Sequence, residues 1–258
     1  MCRHLGYLGP AVPVSGLVLD PPHSLLRQSW APRDMRHGGT INADGFGVGW
    51  FAGGPPVVYR RSSPMWTDPA LGALLGPVHA TGVLAAVRSA TVGMPVVETA
   101  SAPFTDGRWL FSHNGVVRGW PESVESLAAR LPVTDLMTLD APTDAALLWA
   151  LVRARLRDGQ DPAKAVASVV LDVDAVAPES RLNLMLTDGR SLVATAWTHS
   201  LSTLLTEDSV VVASEPYDTD PRWTPVPDRH IVTAGVTPPG PPSLAVLRLG
   251  TDEQGTHD

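Results

Sequence analysis

The only cysteine of the chain stands at position 2. Removal of the initiator methionine is favoured when the next residue is small, and residue 2 would then carry a thiol and a free α-amine on one carbon. Such an amine, with an ordinary pKa of about 7.7–8.0, is in part an unprotonated base near neutral pH. The thiol, at about 8.5, is an intrinsically strong nucleophile. Nucleophile and base in one residue make acyl transfer feasible without a catalytic histidine. The plainer alternative is an incidental thiol beside the start codon, and Cys2 alone favours that alternative. A single cysteine also excludes an intrachain disulfide and a cysteine-built zinc site.

Four further segments carry residues with chemical potential. In Leu84–Gly93, LAAVRSATVG, an apolar run stops at Arg88 and is followed by the small polar residues Ser89 and Thr91. A guanidinium at a strand end fits a ligand carboxylate bidentately; a surface ion pair with one of the 26 acidic residues is the stronger reading of Arg88 alone. In Phe111–Val117, FSHNGVV, Asn-Gly between apolar runs is first of all a hairpin-turn signal. A tight Asn-Gly turn also aims the Asn114 amide and the Gly115 N–H at one point, as an oxyanion hole requires. His113 beside it reads as structural. Asp144 follows Thr143 at the start of a helix, where the dipole explains a carboxylate and where a carboxylate could equally bind a substrate ammonium. Asn42–Trp50, NADGFGVGW, has the glycine spacing of a phosphate loop but continues as a strand, not a helix. It reads as a turn whose glycines let another backbone or a substrate come close. The other histidines lack metal-ligand spacing, so neither metal nor cofactor is expected.

The elements that must position these residues are short. Strands are expected at Leu5–Gly9, Gly47–Ala52, Val57–Arg60, Leu84–Arg88, Trp109–His113, Leu182–Thr187, Leu192–Ala196, Val210–Ala213 and Ala245–Leu249. Asp188-Gly189 marks a hairpin between two of them. Helices are expected at Ser24–Trp30, Pro121–Arg130, Thr143–Asp158 and Ala163–Leu171. Thr143 and Asp161-Pro162 supply caps and a first-turn proline, and Gly159 stops the third helix. Strands grouped around a block of helices indicate an α+β layer structure with antiparallel sheets. Residues 2–250 are expected to form a single domain, with Thr237–Ser243 a loop inside it and 251–258 a flexible tail.

Composition bounds the function. With 44% apolar and 17% charged residues the chain can bury a sizeable core and is not disordered as a whole. No apolar run reaches the roughly 18 residues of a membrane span. The N-terminus lacks a basic segment followed by an apolar one, so the expected compartment is the cytoplasm. A net charge of −7 argues against nucleic acid or an acidic membrane as partner.

Taken together, Cys2, Arg88-Ser-Ala-Thr91, Asn114-Gly115 and Thr143-Asp144 resemble, in order and rough spacing, the class II glutamine amidotransferase domains. These are N-terminal nucleophile hydrolases, and the resemblance covers nearly the whole chain. It implies a four-layer αββα sandwich of two antiparallel sheets between helices. It implies Cys2 as nucleophile with its own α-amine as base, and Asn114 and Gly115 as the oxyanion hole. Arg88 would take the α-carboxylate of a glutamyl group and Asp144 its α-ammonium, with Thr91 assisting. One departure stands out: the sugar-phosphate synthases of the family read Trp-Ala-Thr-His after the arginine, and here Ser89 and Val92 take the outer places. The chain length leaves no room for a synthase domain. MCRHLGYLGP at the start, Asp20–Met35, Gly38–Trp50 and Val211–Pro216 are similar to a stand-alone hydrolase of the family. The resemblance therefore implies hydrolysis of a small-molecule γ-glutamyl amide to glutamate, with no obligatory synthase partner. A glutaminase subunit serving a separate synthase, or a non-catalytic γ-glutamyl-binding relative, stands as the alternative.

Overall fold

The computed structural model describes residues 2–35, 41–236 and 240–250. Among them, one antiparallel sheet comprises β1 (Arg3–Pro13), β2 (Phe46–Phe51), β3 (Val57–Arg61), β4 (His79–Val87), β9 (Ser202–Leu205), β10 (Val210–Ala213) and β11 (Thr224–Pro225), in the spatial order β11-β9-β10-β1-β4-β2-β3. The other comprises β5 (Phe104–Thr105), β6 (Leu110–Val116), β7 (Arg181–Thr187), β8 (Ser191–Ala196), β12 (His230–Gly235) and β13 (Ser243–Arg248), in the order β13-β12-β8-β7-β6-β5. Short helices α1 (Ser15–Val18), α2 (Leu25–Gln28) and α3 (Leu71–Leu75) pack on the outer face of the first sheet. The outer face of the second is covered by α6 (Asp144–Arg157) and α7 (Pro162–Val176), with α4 (Glu125–Ala128) and α5 (Val133–Met137) against α6. The four-layer αββα sandwich expected from the resemblance is the observed architecture.

Period-2 alternation divides the apolar side chains among three cores. Leu5 and Tyr7 of β1, with Val48 and Val83, face α1, α2 and α3. Leu8 and Leu84 of the first sheet meet Leu110, Met185, Leu192 and Val232 of the second. Phe111 points the other way and stacks on Trp149 of α6, centroids 5.5 Å apart and 22° from parallel. Burying such surface on both faces of each sheet is the main favourable term, at about 25 cal/mol per Å².

The helix ends follow the sequence signals. Thr143 Oγ1 accepts from Ala146 N–H, and Gly159, just past the end of α6, has φ +79°. Asp161 accepts from the N–H groups of Ala163 and Lys164 ahead of α7, with Pro162 in its first turn. α7 runs beyond the expected Leu171 to Val176, because Val169, Val170 and Val173 extend its buried stripe. Asp188-Gly189 is the turn between β7 and β8; Asp188 Oδ1 accepts from the Arg190 and Ser191 N–H groups.

Two expectations are corrected. Asn114-Gly115 is not a turn: β6 continues straight through it, pairing Asn114 with Asn183 and Gly115 with Leu182. The apolar residues on both sides belong to one strand, and its partner β7 is supplied from beyond the helical block. The expected helix Pro121–Arg130 is a 3₁₀ turn at Glu122–Val124 followed by the single turn of α4. Strands β5, β9, β11 and β12 and helices α1, α3 and α5 were not marked by the sequence patterns. Residues 251–258, the expected tail, lie outside the described residues, as do Met1 and part of the expected loop Thr237–Ser243. No helix among the described residues is long and apolar enough to cross a membrane.

The glycines of β2 serve close approach. A Cβ on Gly47 would overlap the carbonyl oxygen of Ala102, a backbone atom with no side-chain freedom to yield. Gly47→Ala is expected to cost about 1–3 kcal/mol of stability, read from urea unfolding; unchanged stability would show that the 100–103 segment can retreat.

Candidate active site

Cys2 immediately precedes β1, and the pairing of Arg3 with Val87 brings it level with Arg88 at the end of β4. Its Sγ donates to the Ser89 carbonyl oxygen at 3.7 Å. The Arg88 backbone is held from the turn before β2: Arg88 N–H donates to Gly45 O at 2.8 Å, and Asp44 N–H to Arg88 O at 3.0 Å. Asp44 Oδ2 then accepts from Ala90 N–H at 2.8 Å. One arm of the Arg88 guanidinium donates to Pro95 O at 2.9 Å and, more weakly, to Asp44 O at 3.4 Å. The NADG turn thus fixes the segment that presents Arg88 and Thr91.

The second sheet and α6 supply the facing wall. Gly115 lies so close to Arg181 O that a Cβ there would overlap it. His113 Nε2 donates to the same oxygen at 2.9 Å, which accounts for a structural histidine at that position. Asp144, the first residue of α6, is 5% exposed. Its Oδ2 accepts from Val117 N–H at 3.0 Å and its Oδ1 from Ala145 N–H at 2.7 Å, which ties α6 to the chain leaving β6. Cys2, Arg88, Thr91, Gly115 and Asp144 line one pocket. Thr91 is exposed at its rim.

Asn114 is the exception among the expected site residues. It is not on that pocket's wall; strand alternation turns it to the opposite face of β6 from Gly115. There its amide nitrogen donates to Ser214 Oγ at 3.2 Å, while its Oδ1 is buried without a donor. Ser214 Oγ also accepts from His4 N–H at 3.0 Å, so its own proton remains to be placed.

Behind the pocket lies a buried ion cluster built on Arg3 and Glu215, which the sequence alone did not assign to the site. Arg3, 1% exposed, donates from Nε to Glu215 Oε1 at 2.7 Å and from Nη1 to the Cys2 carbonyl at 2.9 Å; Nη2 donates to Asp34 O. Glu215 Oε2 accepts from His23 Nε2 at 2.7 Å and from Arg33 N–H at 2.8 Å. Burial raises the Glu215 carboxyl, but the donors His23, Arg33 N–H and Arg3 together hold it below its ordinary range. The signal for this cluster was the polar pair Ser214-Glu215 directly after the apolar run of β10. Beside it, burial together with nearby His113 and Arg3 pushes the His4 imidazole down to about 3, so His4 is neutral. Its Nδ1 lies 3.2 Å from Ser112 Oγ. Among the described residues no group of three or more His, Cys, Asp and Glu could hold a metal ion.

Residues 23–219 match the family model of the class-II glutamine amidotransferases. The chain is 45% identical over 232 residues to a protein of Mycobacterium tuberculosis named gamma-glutamyl-hercynylcysteine sulfoxide hydrolase, covering 90% of this chain and 92% of that one. A protein of the same name from Mycolicibacterium smegmatis is 43% identical over 234 residues, covering 90% and 95%. Among solved structures, the glutamine aminotransferase class-II domain protein from Silicibacter pomeroyi superposes with a TM-score of 0.68 at 22% identity, over 96% of this chain and all of that one. The glutamine phosphoribosylpyrophosphate amidotransferase of B. subtilis gives 0.63 at 13% identity, over 97% of this chain and 50% of that one. At those identities the two structures bear on the fold alone.

The buried neutral histidine sets a pH dependence. Because His4 is held well below its ordinary 6.5, below that pH the unfolded chain binds a proton that the folded chain refuses. Stability therefore falls with decreasing pH, by up to about 1.4 kcal/mol per unit from this group. Glu215 adds to this only under its ordinary 4.5, since a carboxyl lowered on folding contributes fully above that value. Urea unfolding from pH 7 to pH 5 is expected to show a flatter dependence for His4→Asn than for the unaltered chain; identical slopes would refute a neutral His4.

Proposed function

This chain belongs to the class-II glutamine amidotransferases, and we propose that within them it hydrolyses the γ-glutamyl amide of γ-glutamyl hercynylcysteine sulfoxide. The products are glutamate and hercynylcysteine sulfoxide, in ergothioneine biosynthesis. One observation carries the reading: a nucleophile, a guanidinium, a carboxylate and a small-residue wall converge on one pocket, in a chain 45% identical to hydrolases of that name. The enzyme is an amidohydrolase that acts on a small molecule in the cytoplasm, with no obligatory synthase, nucleic acid or membrane partner.

The mechanism starts from the clamp. Arg88 keeps the donors not committed to Pro95 and Asp44 for the α-carboxylate of the glutamyl group. Asp144, already oriented by two backbone N–H groups, meets its α-ammonium, and Thr91 assists at the rim. This places the γ-carbonyl carbon over Cys2 Sγ. With Met1 removed, the Cys2 α-amine takes the thiol proton as sulfur attacks, and the carbonyl oxygen becomes an oxyanion. Gly115 N–H stabilises it from the pocket wall and the Asn114 amide from the other face of β6, each such donor lowering the barrier by about 2.7–4 kcal/mol. For Asn114 this role calls for the opposite amide orientation. Ser214 O–H then donates to Oδ1, the buried orphan acceptor is satisfied, and both amide N–H groups are released. The amine returns its proton to the leaving nitrogen, and water cleaves the γ-glutamyl thioester.

Glutamate release from γ-glutamyl hercynylcysteine sulfoxide, measured beside glutamine at equal concentration, is expected to favour the former strongly. Release from glutamine alone would move the protein to the ammonia-supplying members of the family. Cys2→Ala is expected to bind the substrate and to release no glutamate; turnover at the normal rate would exclude the thioester.

A further inference from the structure

Two arginines beside the pocket have no anionic partner among the described residues. Arg181 opens β7 and is half-buried; its Nε is buried without a hydrogen bond, and its guanidinium makes no ion pair among the described residues. Pairing with Val116 places it on the face of the β6–β7 ladder that carries Asn114. Arg118 follows two residues after β6, exposed, its backbone N–H anchored on Ser180 Oγ at 3.0 Å, next to Arg181. Its guanidinium likewise has no hydrogen bond or ion pair among the described residues. A second cavity, walled by Val116–Pro121 and by Thr91–Met94, contains Arg118 and joins the Cys2 pocket through Thr91 and Met94. Burial, and then the neighbouring charge of Arg118, lower the Arg181 pKa, while the Cys2 thiol acts in the opposite sense. Two like charges left close together in a chain of net charge −7 are costly unless an anion joins them.

We infer that Arg118 and Arg181 form a subsite for a carboxylate on the leaving side of the scissile amide. The glutamyl carboxylate already belongs to Arg88, and neither Arg118 nor Arg181 lines the pocket that holds Arg88 and Asp144. Cys2 marks the scissile carbonyl, and the cavity that adjoins its pocket at Thr91 and Met94 is lined by Arg118 and by Val116, the cross-strand partner of Arg181. A cysteine-derived leaving group bears a carboxylate on the carbon attached to the departing nitrogen; the ammonia leaving glutamine bears none. Two guanidiniums can grip that carboxylate through several charge-assisted hydrogen bonds. The inference rests on the proposed function and adds what separates an amino-acid amide from glutamine.

The test compares glutamate release from γ-glutamyl hercynylcysteine sulfoxide, from the same amide lacking the cysteine carboxylate, and from glutamine. Arg118→Gln, Arg181→Gln and Arg181→Lys are assayed beside the unaltered enzyme, with melting temperatures to verify folding. The unaltered enzyme is expected to favour the carboxylate-bearing amide about 10- to 100-fold in kcat/KM. The glutamine variants are expected to lose that preference mainly through KM, with the decarboxylated amide unaffected and Arg181→Lys restoring part of it. Equal rates on both amides, or equal losses on both in the variants, would overturn the subsite and leave the function standing. Release from glutamine alone would overturn both.

Discussion

The position of Cys2 depends on one buried carboxylate. Glu215 takes an ion pair from Arg3, a hydrogen bond from His23 and one from the Arg33 backbone, and Arg3 spends another arm on the Cys2 carbonyl. Charges this deep are expensive to desolvate and stabilise only when every donor and acceptor is met. Here the carboxylate is saturated, so the same groups that lower the cost also define a geometry. The cluster joins four separate pieces of chain: the start of β1, His23 ahead of the Ser24 cap of α2, the loop at Arg33–Asp34 and the segment just after β10. A residue at the extreme end of a strand, which ordinarily frays, is thereby held by the interior.

The rest of the pocket is assembled from contacts that also hold the layers together. Asp144 opens the principal helix and pins the chain leaving β6. Gly115 lies in the β6–β7 ladder, where Arg181 O excludes a side chain. The NADG turn links β2 to the end of β4. Site and scaffold therefore share hydrogen bonds, and a change in one wall propagates through strand register rather than through a flexible loop.

What was legible in the sequence was what local chemistry decides. Thr143, Asp161-Pro162 and Gly159 mark helix ends because orphan backbone groups need partners within a few residues. Asp188-Gly189 reads as a hairpin because a positive φ suits Gly189. Arg88 reads as a strand end because a cation cannot continue an apolar run. The converging order of Cys2, Arg88, Asn114-Gly115 and Asp144 carried the family and the fold. Long-range pairing was not legible. Asn-Gly looked like a turn, yet the partner of β6 is β7, across the whole helical block. β12 is a short run placed in its sheet by β8, which is distant in sequence. Glu215 and Arg3 are 212 positions apart, and only the meeting of β1 with β10 shows why both are buried. Strand alternation likewise placed Asn114 on the face away from Gly115, which the dipeptide alone could not reveal.

The tethering of Arg88 bears on the thermodynamics of ligand capture. Its backbone is paired on both sides and its guanidinium is already docked on Pro95 and Asp44. A free surface arginine surrenders rotamer freedom when it grips a ligand, at about 0.5–1.5 kcal/mol for an immobilised side chain. Here most of that loss occurs when the chain folds. The glutamyl end accordingly meets a rigid receptor, and the entropy of recognition falls on the ligand.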